Sequence, residues 1–203
     1  MDKTYNIEDI HVCGVDVENR IIYMNSEIDI DGEENGVDYK MASRFLKNID
    51  FLNKLNNKMI TVKVMNCGGC WNYGMAIYDC IKSSKSQVNT ISYAHARSMS
   101  SVIPQASKNR YISKHADFMV HYGDYGDSGD MRKVISGMKY YETQNKVMLD
   151  IYAHRCVNGE FFRSKNYSTQ ETADYIQGKI EKNTDWWMTA EESVYYGFMD
   201  KVI

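Results

Sequence analysis

The stretch KMITVKVM at 58–65 runs directly into Asn66-Cys67-Gly68-Gly69, and this junction restricts the fold more than any other part of the chain. A short run of β-branched and apolar residues favours a strand. The adjacent glycines predict a tight turn, because only glycine enters the left-handed backbone region without steric cost. Residues 72–84 then place Met75, Ile77, Tyr78 and Ile81 at helical spacing, and QVNTISYA at 87–94 is again a strand. A strand, a helix and a second strand joined in this way predict a parallel pair with a crossover helix.

The rest of the chain repeats the alternation. Strands are expected at 20–24, 109–113 and 117–121 and in the closing MDKVI. Helices are expected over 39–56, from Ser98 onward, and over 131–155, 169–183 and 189–197. Met41, Phe45, Ile49, Leu52 and Leu55 share one face of the 39–56 helix. The 131–155 helix carries a stripe of Met131, Val134, Ile135, Met138, Tyr141, Met148, Ile151 and Tyr152, read as core or subunit interface. Ser168-Thr169-Gln170-Glu171 has the pattern of a capping box, and Thr189 is a candidate N-cap. Residues 1–18 are polar and irregular, the composition of a mobile arm, which leaves 19–203 as a single domain. The fold class is therefore α/β, a mostly parallel sheet covered by helices. In such sheets sites gather at the carboxyl ends of strands, here the loops 66–70, 94–98 and 121–124.

Composition excludes several classes of function. The formal net charge of -3 provides no basic field for nucleic acid or an anionic membrane. No apolar run is long enough to span a bilayer. The first ten residues lack the apolar segment of a secretory signal, which predicts an intracellular protein. Five cysteines, an odd number, then read as reduced thiols rather than a disulfide framework. Enrichment in Asn, Lys, Tyr and Ile is the bias of an AT-rich genome and carries no mechanism.

Three polar residues are candidates for chemistry, two of them at strand ends. Ser98 follows a strand and opens a helix, the setting of an exposed nucleophile, but the same position suits a helix N-cap. His121 ends an apolar strand; a neutral imidazole there can take a serine proton and return it, or simply face solvent. Asp185 lies between two helices, where it can orient an imidazole or close a turn. His95 is a rival base, three residues before Ser98. Gly68-Gly69 can bring a backbone N–H close to a carbonyl oxygen. Cys67 and Cys70 supply a rival reading, since a C-x-x-C between strand and helix is the setting of a redox pair. No second cysteine or histidine pair at ligand spacing completes a zinc site.

Taken in order, these segments resemble the proteolytic subunit of Clp protease over about residues 18–203. NRIIYMNSEI at 19–28 resembles the family's first strand. VMNCGGCWNYGMAIYDCI at 64–81 resembles its Asn-Ser-Pro-Gly-Gly segment and the helix that follows. TISYAHARSMSSVI at 90–103 resembles the nucleophile segment, FMVH at 118–121 the segment of the base, and DWWMTAEESVYYGFMDKVI at 185–203 the closing segment with the third triad member. The resemblance implies a ClpP/crotonase-type repeated ββα spiral with a protruding handle at about 122–155. It implies a serine endopeptidase with Ser98 as nucleophile, His121 as base and Asp185 as orienting carboxylate. Gly69 and Met99 would supply the oxyanion-hole N–H groups, and Gly68, Cys70, Tyr122 and Gly123 would line the substrate site. It implies no cofactor and no metal. The partners it implies are further copies of the chain in two stacked seven-membered rings, an ATP-driven AAA+ unfoldase of the ClpX or ClpA type, and unfolded protein or peptide substrates. Neither nucleic acid nor membrane is implied. The location is cytoplasmic, the host's cytoplasm if a virus encodes the chain. A non-catalytic ring subunit and a crotonase-like acyl-CoA enzyme are the alternatives of the same fold. The chain departs from the family at five places. The proline before the glycine pair is absent and the turn is one residue shorter. Arg97 stands where the family has a small residue, Ala94 and Ser100 stand where it has glycines, and Tyr122-Gly123 replaces Gln-Pro.

Overall fold

The computed structural model describes residues 8–26 and 31–203. Among these residues the strands are β1 (Val15–Asp16), β2 (Ile21–Asn25), β3 (Ile60–Asn66), β4 (Val88–Arg97), β5 (Asn109–Ile112), β6 (Asp117–Val120), β7 (Trp186–Met188) and β8 (Lys201–Val202). The helices are α1 (Tyr39–Leu55), α2 (Trp71–Ser83), α3 (Met99–Val102), α4 (Met131–Cys156), α5 (Glu160–Ser164), α6 (Thr169–Asn183) and α7 (Ala190–Tyr195). The sheet runs β1-β2-β3-β4-β5-β8, with β6 branching from β4 and β7 pairing β6. Every pairing from β2 to β8 along the main path is parallel, as the strand–helix alternation predicts. The antiparallel pairs are β1 with β2 and β7 with β6.

The branch is what positions the site. Asn89–Ser92 of β4 pair with β5, and His95–Arg97 pair with β6. Between the halves, β3 advances two residues, Val64 to Asn66, while its β4 partners advance four, Ser92 to Ala96. The surplus forms a bulge, which bends a strand and increases its twist. Ala94 takes φ 58 within it, the glycine-like conformation at the position where the family has glycine. β4 therefore ends at Arg97, three residues beyond its expected end.

Within the stretch read as an arm, 1–18, residues 8–18 are described. Residues 9–13 make one helical turn, closed by Gly14 at φ 66 with its N–H on Ile10 O, and Val15–Asp16 form β1, with Val15 buried. Residues 1–7 of that arm lie outside the described residues, as do 27–30, which include the end of the first family-like segment. β7 and α5 are too short for periodicity to have revealed them. The helix at Ser98 is also shorter than expected: α3 is four residues long and passes into a 3₁₀ turn, Ile103–Ala106, containing Pro104.

Met41, Phe45, Ile49 and Leu52 of α1 are buried as expected, whereas Leu55 is exposed at the helix end. The buried Arg20 donates to Leu52 O and Asn56 O there, placing a cation at the negative end of α1. Both predicted caps are present, as full capping boxes at Ser168 and Thr189. The α4 stripe divides along the helix. Met148 and Tyr152 lie in the core, joined there by Leu149, Ala153 and Cys156; Val134, Tyr141 and Ile151 are half-buried; and Met131, Ile135 and Met138 are exposed, as is neighbouring Tyr140, so the first turns of the helix stand clear of the body.

Candidate active site

Ser98 sits where bent β4 meets α3, at φ 52 and ψ -128, a conformation that a non-glycine residue holds only when its surroundings impose it. Those surroundings are specific. Its N–H donates to Met119 O on β6 (3.1 Å). Its carbonyl accepts from the Ser101 N–H (2.9 Å) and hydroxyl (2.6 Å). The Ser101 hydroxyl also lies 2.7 Å from the hydroxyl of fully buried Tyr152 on α4.

The glycine turn packs against this elbow. A Cβ on Gly68 would lie 2.5 Å from Ser98 Cβ and 2.9 Å from Arg97 O, so only glycine fits at its φ of 115. Gly69, at φ 134, forms a parallel bridge with Val37; Val37 N–H donates to Gly68 O (2.5 Å) and Cys70 N–H to Val37 O (2.8 Å). Asn66, wholly buried at the end of β3, ties the turn to the serine helix. Its Oδ1 accepts from Gly68 N–H (2.9 Å) and from the Ser100 hydroxyl (2.7 Å), and its Nδ2 donates to Ser26 Oγ (2.6 Å). Ser100, a glycine in the family, thus adds a hydroxyl that this network uses.

His121 follows β6. Its Nδ1 lies 3.1 Å from Asp185 Oδ1, while its Nε2 is buried and makes no hydrogen bond among the described residues. Asp185 opens from α6 toward β7 and is partly exposed. Ser98 and His121 line one cavity of about 400 Å³, together with Gly69, Cys70, Met99, Tyr122 and Gly123. No hydrogen bond joins Ser98 to Nε2; such contacts commonly tighten only when substrate binds. Tyr122 and Gly123 are fixed from the α4 side, since the Tyr141 hydroxyl lies 2.8 Å from both of their carbonyl oxygens.

The Clp protease family model matches residues 14–203. The chain belongs to the Clp protease family. It is similar to ATP-dependent Clp protease proteolytic subunits from three bacteria. The Streptococcus gordonii protein is 26% identical over 176 residues, covering 82% of this chain and 80% of the relative. That of Streptococcus salivarius is 29% identical over 175 residues, with the same coverage. That of Carsonella ruddii is 25% identical over 189 residues, covering 92% and 85%. The fold is accordingly the ClpP type of α/β spiral, and the projecting α4 is its handle.

Membership in the Clp protease family sharpens the comparison with the rival residues. His95 turns to Glu34, with Nε2 3.3 Å from Oε1, and does not line the cavity of Ser98. Cys67 donates its thiol to Glu34 O (3.6 Å), whereas Cys70 faces the cavity, so the two thiols have different neighbours. Burial, with the Glu34 charge, pushes the Cys67 thiol up, opposite to the direction a redox nucleophile needs. Arg97 does not enter the cavity; it turns to Asp117 and Trp187. Asn66 and Tyr141 were not legible as site residues. The only available signal for Asn66 was an amide at the end of an apolar strand, just before a glycine pair.

Proposed function

We propose that the chain is the serine endopeptidase subunit of a Clp-type protease. Ser98 Oγ attacks the peptide carbonyl while His121 Nε2 takes its proton and returns it to the leaving amine. Asp185, on Nδ1, holds the imidazole in the tautomer that leaves Nε2 free to accept. The Gly69 and Met99 N–H groups hold the oxyanion, each worth about 10²–10³ in rate in comparable sites. Water, activated by the same imidazole, then hydrolyses the acyl-enzyme. The substrate lies across Cys70, Tyr122 and Gly123, which line the cavity, whereas Gly68, expected beside them, is buried against Ser98 and supports the turn from behind.

One observation carries this reading: an imidazole bonded to a carboxylate on one nitrogen lines the same cavity as a serine on a strained elbow. The exposed Met131, Ile135, Met138 and Tyr140 on the projecting turns of α4 support the further reading of self-association into stacked rings, two of seven subunits. An AAA+ unfoldase of the ClpX or ClpA type would feed unfolded chains to the enclosed chamber, the subunit itself using no ATP. The proposed place of work is the cytoplasm; no helix among the described residues is long and apolar enough to cross a membrane.

The test is labelling of the purified protein with a fluorophosphonate, read by intact mass and peptide mapping. A single adduct on Ser98, lost in Ser98→Ala and strongly reduced in His121→Ala, is the expected result. A well-formed oligomer with no adduct would overturn the peptidase reading in favour of a non-catalytic ring subunit.

A further inference from the structure

Arg97 directly precedes Ser98. Its side chain runs back along the sheet. Nε donates to Asp117 Oδ1 (2.7 Å) and Nη2 to Asp117 Oδ2, a two-point contact between planar groups. The same guanidinium lies over the indole of Trp187, its Cζ 5.0 Å from the ring centroid. The register explains how one side chain reaches both. Arg97 of β4 pairs Met119 of β6, and Met119 pairs Trp187 of β7, so the three residues form one row across the branch.

Each strand in that row delivers a different member of the proposed triad. Ser98 follows Arg97 directly, His121 stands four residues after Asp117, and Asp185 stands two before Trp187. β7 is only three residues long and pairs β6 alone; Trp186 and Met188 anchor one of its faces in the core, whereas Trp187 on the other face is half exposed and meets the Arg97 guanidinium. We propose that Arg97 is a positioning residue, a clamp holding β4, β6 and β7 in the register that brings Ser98, His121 and Asp185 together. The inference rests on the peptidase reading above for its catalytic consequence and on the structure alone for the clamp. The pair is about one-third exposed on each side, so it contributes little to overall stability, and its effect is local geometry.

The test compares Arg97→Ala, Arg97→Lys, Trp187→Phe and Trp187→Ala in the assembled protein. Peptide hydrolysis is read per active site, after titration with the fluorophosphonate. Arg97→Ala is expected to lower kcat about tenfold or more, with KM within about twofold, because small misplacements of reacting groups are costly in rate. Arg97→Lys keeps the charge but loses the fork and the planar stack, and falls between. Trp187→Phe keeps a ring face and stays near wild type, whereas Trp187→Ala resembles Arg97→Ala. The double variant Arg97→Ala/Trp187→Ala loses little more than either single one. Amide hydrogen exchange at residues 186–188 provides a readout independent of catalysis and is expected to speed up in Arg97→Ala. Unchanged exchange there in Arg97→Ala, or a kcat per active site that Arg97→Ala leaves at the wild-type value when the wild type labels, overturns the clamp. A wild type that fails to label while Arg97→Ala still loosens β7 sinks the peptidase reading and leaves the clamp standing.

Discussion

Replacing Asn66 by alanine should separate the glycine turn from the serine helix without unfolding the protein. The side chain is wholly buried and makes three short hydrogen bonds, to Gly68 N–H, Ser100 Oγ and Ser26 Oγ. At about 1 kcal/mol net for each bond, the direct loss is about 3 kcal/mol. The two hydroxyls can rotate to other acceptors, but the Gly68 N–H cannot, and a buried orphan donor costs about 1–2 kcal/mol more. The total, about 4–5 kcal/mol, lies below the usual stability of a domain, about 5–15 kcal/mol, so the variant should fold in the cold with its Tm lowered by roughly 10–20 °C. The rate should fall further than the stability suggests. Gly68 N–H anchors the residue before Gly69, and a displaced oxyanion donor costs about 10² in rate. Calorimetry and the fluorophosphonate labelling rate at 15 °C measure the two effects separately. Ser26→Ala, which removes only the contact remote from the turn, should lose about 1 kcal/mol and label at the wild-type rate. If Asn66→Ala loses stability yet labels as fast as wild type, Val37 alone holds the turn and the reasoning fails.

Ala94→Gly should raise Tm by about 2–4 °C, because an exposed alanine at φ 58 carries about 1 kcal/mol of backbone strain that glycine removes; an unchanged or lower Tm in thermal scans would count against the bulge geometry. Acid should weaken the β5–β8 junction: burial opposes ionisation of Asp200, but its hydrogen bonds and charge contact with Arg110 outweigh that and hold its pKa below the usual carboxylate value. A carboxyl depressed in the folded state stabilises it above its unfolded pKa of about 3.8, and that stability is lost as pH falls through the lower folded value. Asp200→Asn should therefore flatten the acid limb of a stability–pH curve, and an unaltered limb would refute this. Among the thiols, exposed Cys13 and Cys70 should react first with Ellman's reagent at neutral pH. Cys80, which burial and then Asp50 push up to about 11, and buried Cys156 should react only on unfolding; rapid reaction of Cys156 would contradict its placement in the core.

Much of the α/β alternation was legible because each main strand and helix carries its own period. The stripe over 39–56 and the β-branched run at 58–65 needed no tertiary information. β1, β7 and α5 escaped because two to five residues hold too little periodicity, and they exist through pairing and packing. The three proposed catalytic residues were recognisable through the order of family-like segments, whereas composition and spacing alone left Ser98 as readable as a cap. Arg97 shows the limit from the other side: the sequence marks it only as a large residue where the family has a small one, whereas the pairing of Arg97 with Met119 and of Met119 with Trp187 accounts for where its side chain goes. That register depends on a bulge that no local pattern announces. Asn66 and Ser100 were hidden for the same reason, since their bond spans 34 residues of sequence.

The fork in β4 has a consequence for how this chain can change over generations. One half of the strand is counted against β5 and the other against β6, and the surplus at 93–95 is the gearing between the two counts. A side chain can be accommodated there at some cost in backbone strain, as at Ala94. A change of length cannot: a single codon gained or lost between Ser92 and Ala96 shifts Ser98 by one position and turns it to the opposite face of the sheet. Insertions and deletions should therefore accumulate in surface loops and spare this stretch, making it a fixed ruler within an otherwise divergent sequence.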